Sequence, residues 1–129
     1  MDNKASILIV DDEMGIRETL LDILEAMGYH TVIAVDGYEA IQKAKQNAFD
    51  VIFMDVRMPG IDGVDAFKEI NKIHPETAVV LMTAYAVDDR IREAQREGAC
   101  RVLDKPLDVE TIIGLVEEMK AGGHAEPIP

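Results

Sequence analysis

The sequence predicts one doubly wound α/β domain, a five-stranded parallel sheet with helices on both faces. Three observations predict it. Short, wholly apolar runs alternate with stretches of helical periodicity. The order is strand then helix, five times over. The apolar runs are continuous and do not alternate with polar residues, which is how strands buried on both faces read. Right-handed crossovers then distribute the helices over both sides of the sheet. A chain of 129 residues, 48% of them hydrophobic, suits one domain with a sizeable core.

Each element has its own signal. Ile7-Leu8-Ile9-Val10 is the first strand and runs into Asp11-Asp12. Ile16, Leu20, Ile23, Leu24 and Met27 recur at helical spacing, and Gly28 marks the stop. Thr31 to Val35 is β-branched and short, the second strand. Asp36-Gly37 punctuates before a helix with Ala40, Ile41 and Ala44 on one face. Val51-Ile52-Phe53-Met54 is the third strand and ends in Asp55. After the Pro59-Gly60 turn, Val64, Phe67, Ile70 and Ile73 mark a helix that must end before Pro75. Val79 to Met82 is the fourth strand, Asp88 to Glu97 the fourth helix, and Val102-Leu103 the fifth strand. Ile112, Ile113, Val116 and Met119 give the last helix. The domain is expected over residues 5–120. The Gly/Pro-rich segment 121–129 reads as a disordered tail or the start of a linker.

Composition narrows the function. The formal charge is −12, from 13 Lys and Arg against 25 Asp and Glu. That argues against sequence-independent nucleic-acid binding, which needs cations to neutralise phosphates. No apolar run is long enough to span a bilayer, and the N-terminus MDNKAS has no signal-peptide pattern. The one cysteine, Cys100, forms no internal disulfide, so a reducing, cytoplasmic home is expected. Its expected role is packing near the last strand.

The chemistry gathers where the strands end. The first is followed by Asp11-Asp12, the third ends at Asp55, the fourth is followed by Thr83, and the fifth by Lys105-Pro106. Open parallel sheets bind ligands beyond the carboxyl ends of their strands, so the fold brings these residues to one edge. Three carboxylates there repel one another; either some stay protonated or a cation neutralises them. Carboxylate oxygens on short stems suit a hard ion such as Mg²⁺, which also accepts phosphoryl oxygens. Lys105 adds a point charge and Thr83 a hydroxyl. The set reads as a phosphoryl site with a carboxylate nucleophile. No member is specific alone, since Asp-Asp pairs also cap helices. The ordered set is specific.

The stretches ILIVDDE (7–13), VIFMDVRMPGIDG (51–63), VLMTAYA (80–86) and LDKPLD (103–108) carry a resemblance. Over about residues 5–120 the chain resembles the receiver domains of two-component response regulators. The resemblance implies a flavodoxin-like, three-layer sandwich with strand order 2-1-3-4-5. It implies that Asp55 takes a phosphoryl group from a partner phosphohistidine, on a sensor histidine kinase or a histidine phosphotransferase. It implies that Asp11, Asp12, Asp55 and the backbone carbonyl of Arg57 hold Mg²⁺. Thr83 matches the hydroxyl that moves toward the phosphoryl group, and Lys105 the lysine that contacts it, followed by a cis bond to Pro106. An effector domain beyond residue 120 and a phosphorylation-dependent dimer are both compatible with the pattern. One departure stands out: many receivers have a switching aromatic three positions before the lysine, and here that position is Val102.

Other residues have plainer readings. Arg57 and Tyr85 lie two positions after Asp55 and Thr83; they either flank the phosphoryl group and hinder water or are loop side chains facing solvent. His30, His74 and His124 have no ligand spacing, and His74 at a helix end is explained by the helix dipole. Gly60 and Gly63 read as turn glycines beside Asp55. The surface around Ile16, Pro106 and Leu107 is the expected partner face. Competing functions are weaker. A haloacid-dehalogenase-type phosphatase wants a second aspartate where Arg57 stands. A flavodoxin-like cofactor binder wants a Gly-rich phosphate loop where Asp11-Asp12-Glu13 stand. A receiver that only binds would not need the whole acceptor set. A single-domain shuttle relaying phosphate onward stays open, as does signalling through the fourth strand, fourth helix and fifth strand.

Overall fold

A computed structural model describes residues 5–84, 89–98 and 101–122. Five strands and five helices alternate: β1 (Ser6–Val10), α1 (Met14–Ala26), β2 (His30–Ala34), α2 (Gly37–Gln46), β3 (Val51–Asp55), α3 (Gly63–Ile73), β4 (Ala78–Thr83), α4 (Asp89–Arg96), β5 (Arg101–Asp104) and α5 (Val109–Gly122). The strands form one parallel sheet in the order β2-β1-β3-β4-β5. Fold class and strand order are those expected.

Two apolar cores sandwich the sheet. Strand side chains alternate between them, so Ile52 and Met54 face one core while Val51 and Phe53 face the other. The first core is closed by α2, α3 and α4, the second by α1 and α5. Every residue of β3 and β4 is buried. This is why those segments are apolar without interruption. Burying a side chain such as Phe53 is worth about 1.5–3 kcal/mol. The edge strands have only one neighbour and carry polar residues such as His30 and Arg101.

Several expectations need correcting. The second strand begins at His30 and ends at Ala34, which leaves Val35 outside it and exposed. The cause is a helix cap: Asp36 accepts from the Glu39 N–H at 2.8 Å, while Glu39 reaches back to the Val35 N–H at 2.7 Å. Met27 and Ile73, expected inward, lie at helix ends and are exposed. In α5 the buried stripe includes Leu115 beside Ile112, Val116 and Met119. His74 does more than face a helix dipole. Its Nε2–H donates to the Ala44 carbonyl at 2.9 Å, tying the end of α3 to the end of α2. Gly60 has φ +82°, as a turn glycine should. Gly63 differs: it opens α3, and a Cβ there would stand 2.2 Å from the Asp55 carbonyl oxygen. Its role is close approach. Cys100 and His124 lie outside the described residues.

Candidate functional site

The sheet has a switch point between β1 and β3, where the chain winds away in opposite directions. Asp11 immediately follows β1, and Asp55 is the last residue of β3. Both are therefore placed at the crevice by strands whose side chains are fixed in core on each face. Thr83 ends β4, and Lys105 follows β5, its backbone N–H donating to the Thr83 carbonyl at 2.8 Å. The Lys105-Pro106 bond is cis. Asp11, Asp55, Thr83 and Lys105 thus converge at one edge of the sheet.

Lys105 sits among the acids. Its Nζ is 3.1 Å from Asp11 Oδ2, 3.4 Å from Asp55 Oδ1 and 3.8 Å from Glu13 Oε1. Asp11 is fully buried, and Asp55 and Thr83 are 6% and 1% exposed; Asp12 faces solvent. One oxygen each from Asp11, Asp12 and Asp55 lie within 4.8 Å of one another, a spacing that could hold a metal ion. A cavity of about 290 Å³ opens over them, lined by Asp12, Glu13, Asp55, Arg57, Thr83, Ala84 and Lys105. The donor set is hard oxygen throughout, which fits Mg²⁺.

Electrostatics mark Asp55. Burial, then the negative charge of Asp11, push its carboxyl up to about 6. The charge and hydrogen bond of Lys105 and the backbone N–H of Arg57 act the other way. For Lys105, burial opposes the charge. The hydrogen bond to Asp11 and the charges of Asp55 and Asp11 outweigh it and raise the ammonium above its usual range. The lysine therefore stays charged across the physiological range.

Sequence reasoning missed three contributors. Glu13 is the third carboxylate on Lys105; it was visible in DDE but had no assigned partner. Arg17 on α1 donates to the backbone carbonyl of Asp11 at 2.8 Å, and a carbonyl acceptor leaves no mark in a sequence. Gly63 lies against the Asp55 backbone. Tyr85 lies outside the described residues, so only Arg57 of that pair is placed, exposed and lining the cavity. Beside the site, a groove of about 710 Å³ runs between α1 and α5, lined by Ile16, Leu20, Pro106, Leu107, Val109 and Ile112 among others. It contains the expected partner face.

Fold and site together define an open, doubly wound α/β protein with an acid-and-lysine cluster at its switch point. The profile of the response regulator receiver domain matches residues 7–117. The chain belongs to that family and is a receiver domain of two-component signalling. It is 36% identical over 109 residues to transcriptional regulatory protein ZraR of Klebsiella oxytoca, covering 84% of this chain and 25% of that protein. The chain thus spans about a quarter of the length of the ZraR proteins it matches. It is 35% identical over 112 residues to sporulation initiation phosphotransferase F of Bacillus subtilis, covering 87% and 90% of the two. Among solved structures, chemotaxis protein CheY4 of Vibrio cholerae superposes with a TM-score of 0.83 at 32% identity, over 89% and 98% of the two chains. Among the described residues, no helix is long and apolar enough to cross a membrane.

Proposed function

We propose that this receiver domain takes a phosphoryl group onto Asp55 from a phosphohistidine of a partner histidine kinase or histidine phosphotransferase. One observation carries the reading: a buried carboxylate at the switch point, in contact with a lysine and within metal-sharing distance of two more carboxylates. An Asp55 oxygen attacks phosphorus, forming an O–P bond. The N–P bond breaks and its electron pair stays on the imidazole nitrogen. Asp11, Asp12, Asp55 and the Arg57 carbonyl would hold Mg²⁺; when bound, the ion supplies positive charge that lets phosphoryl oxygens approach the carboxylates. Lys105 shifts its ammonium from Asp55 toward the new phosphoryl oxygens, and the Thr83 hydroxyl donates to one of them. Arg57, exposed over the cavity, screens the product from water. The groove between α1 and α5 receives the partner. Binding energy for the phosphoryl group then shifts an existing equilibrium in β4, α4 and β5. The single-cysteine count and the phosphohistidine partner class fit the cytoplasm.

A second reading is a phosphorelay shuttle that passes the group onward. It is favoured by the match to sporulation initiation phosphotransferase F, whose length is 90% covered. Transfer from the phosphorylated chain to an unphosphorylated histidine phosphotransferase, followed with labelled phosphate, separates the two. The reading common to both is tested by mass. With Mg²⁺ and a small phosphodonor, the wild type is expected to gain one phosphoryl group and Asp55→Asn none. No gain in the wild type, or equal gain in the variant, refutes it.

A further inference from the structure

The turn from β1 to α1 carries two of the three carboxylates, yet Asp11, Asp12 and Glu13 lie in neither strand nor helix. The β1–β2 ladder reaches only as far as the Asp11 N–H, which donates to the Ala34 carbonyl at 3.3 Å. Beyond it, three hydrogen bonds hold the turn. The Arg17 Nη1–H donates to the Asp11 carbonyl at 2.8 Å. The Arg17 backbone N–H donates to the Glu13 carbonyl at 3.2 Å. The Glu13 N–H donates to Asp11 Oδ1 at 2.9 Å. Asp11 is thereby held at both its carbonyl and its carboxylate, and Asp12 is fixed between two anchored residues.

Arg17 is not there for packing. The inward stripe of α1 is supplied by Leu20 and Leu24, with Ile16 against the same core. Its Nε is buried without a partner among the described residues, which is costly for a guanidinium N–H. An apolar side chain would avoid that cost. Its bond to the Asp11 carbonyl is what a guanidinium adds.

We propose that Arg17 is a positioning residue for the metal site. Through the Asp11 carbonyl it holds the β1–α1 turn so that the Asp12 carboxylate meets those of Asp11 and Asp55. This rests on the reading that these carboxylates bind Mg²⁺. Charge alone predicts the opposite sign. A cation beside a cation site weakens binding, so removing it should tighten Mg²⁺. Positioning predicts that removing it loosens Mg²⁺.

The test is MgCl₂ titration of the full chain by calorimetry, for wild type, Arg17→Lys and Arg17→Met. The Lys variant keeps a donor and the charge, and is expected to stay near wild type. The Met variant is expected to bind roughly tenfold or more weakly, as when a supporting hydrogen bond to a ligand is removed. Equal or tighter binding by the Met variant overturns the proposal. No saturable binding by wild type overturns the metal site itself, and this proposal with it. Should the Met variant not fold, the wild type decides by arginine-selective NMR. The bond should slow rotation of the guanidinium and give separate Nη resonances. A single averaged resonance overturns the proposal.

Discussion

At Asp55, burial and charge compete. Its carboxyl is pushed up to about 6 by burial and by Asp11, from an ordinary value of 3.8. The folded state therefore binds this proton more tightly than the unfolded chain, and stability falls as pH rises between those values. Above 6 the full penalty applies, on the order of 3 kcal/mol. Asp55→Asn removes the charge, and Lys105 keeps Asp11 at 3.1 Å. The variant should unfold at higher denaturant concentration than wild type at pH 7.5, and the gain should shrink toward pH 4. A gain of equal size at both values would exclude this account. Gly63 makes a second prediction of this kind. A Cβ there stands 2.2 Å from backbone, whereas one at Gly114 in α5 meets nothing within 4 Å. Gly63→Ala should lose roughly 1–3 kcal/mol by overpacking, and Gly114→Ala should gain up to about 1 kcal/mol from helix propensity. Thermal melts of the two variants check the contrast; destabilisation by both would remove it. Sequence alone reads Gly63 as a turn glycine, because the partner it must clear is eight positions away and in another element.

Among the elements, α4 is the most lightly anchored of the described helices facing the first core: its buried residues are Ile91 and Ala94. An ionic link supplements them. Arg90 reaches Asp62 at 3.1 Å, Asp65 at 2.7 Å and Glu93 at 3.0 Å, and Lys68 pairs with Glu93. The hydrogen bonds that Arg90 donates to Asp65 and Asp62 strengthen the guanidinium's hold on its proton. Asp62 also caps α3 by accepting from Asp65 N–H at 2.9 Å, so the link runs from the loop after Asp55 to α4. The groups are partly exposed, so each pair is worth at most about 1 kcal/mol. Arg90→Met should therefore speed hydrogen exchange of α4 amides while leaving global stability within about 1 kcal/mol. Unchanged α4 exchange would show that packing alone holds the helix. Element order and type are legible in the sequence because β1, β3 and β4 are covered on both faces and read as apolar runs. The edges are less so. The one-residue slip at β2 arose because Val35 looks like strand, while Asp36 and Glu39 were already signalling a helix cap. The link at Arg90 spans 25 to 28 positions, and no local pattern announces it.

For the whole molecule, four strands from different parts of the chain deliver one site. Its acids and lysine were legible because each follows an apolar run; Arg17 and the third contact of Lys105 were not, because they depend on how α1 lies on the sheet. Val102 is also explained only by the fold. It is partly buried against the first core, the one that also holds Ile91 and Ala94, and has no ring to swing. The chain's charge of −12 makes the last prediction a demanding one. Any salt relieves repulsion among 25 acids, and a divalent ion does so at lower concentration. A site made of Asp11, Asp12 and Asp55 adds something screening cannot: stabilisation that continues with concentration as RT ln(1 + [Mg²⁺]/Kd), about 2.7 kcal/mol at a hundredfold excess over Kd. It should also depend on pH, since a proton on Asp55 competes with the ion below about 6. MgCl₂ should therefore raise the melting temperature well beyond NaCl of equal ionic strength at pH 7.5. The excess should be small at pH 5 and largely absent in Asp12→Asn, whose substitution leaves Lys105 with both buried acids. An equal rise in NaCl, or an undiminished rise in Asp12→Asn, would mean that Mg²⁺ only screens the surface.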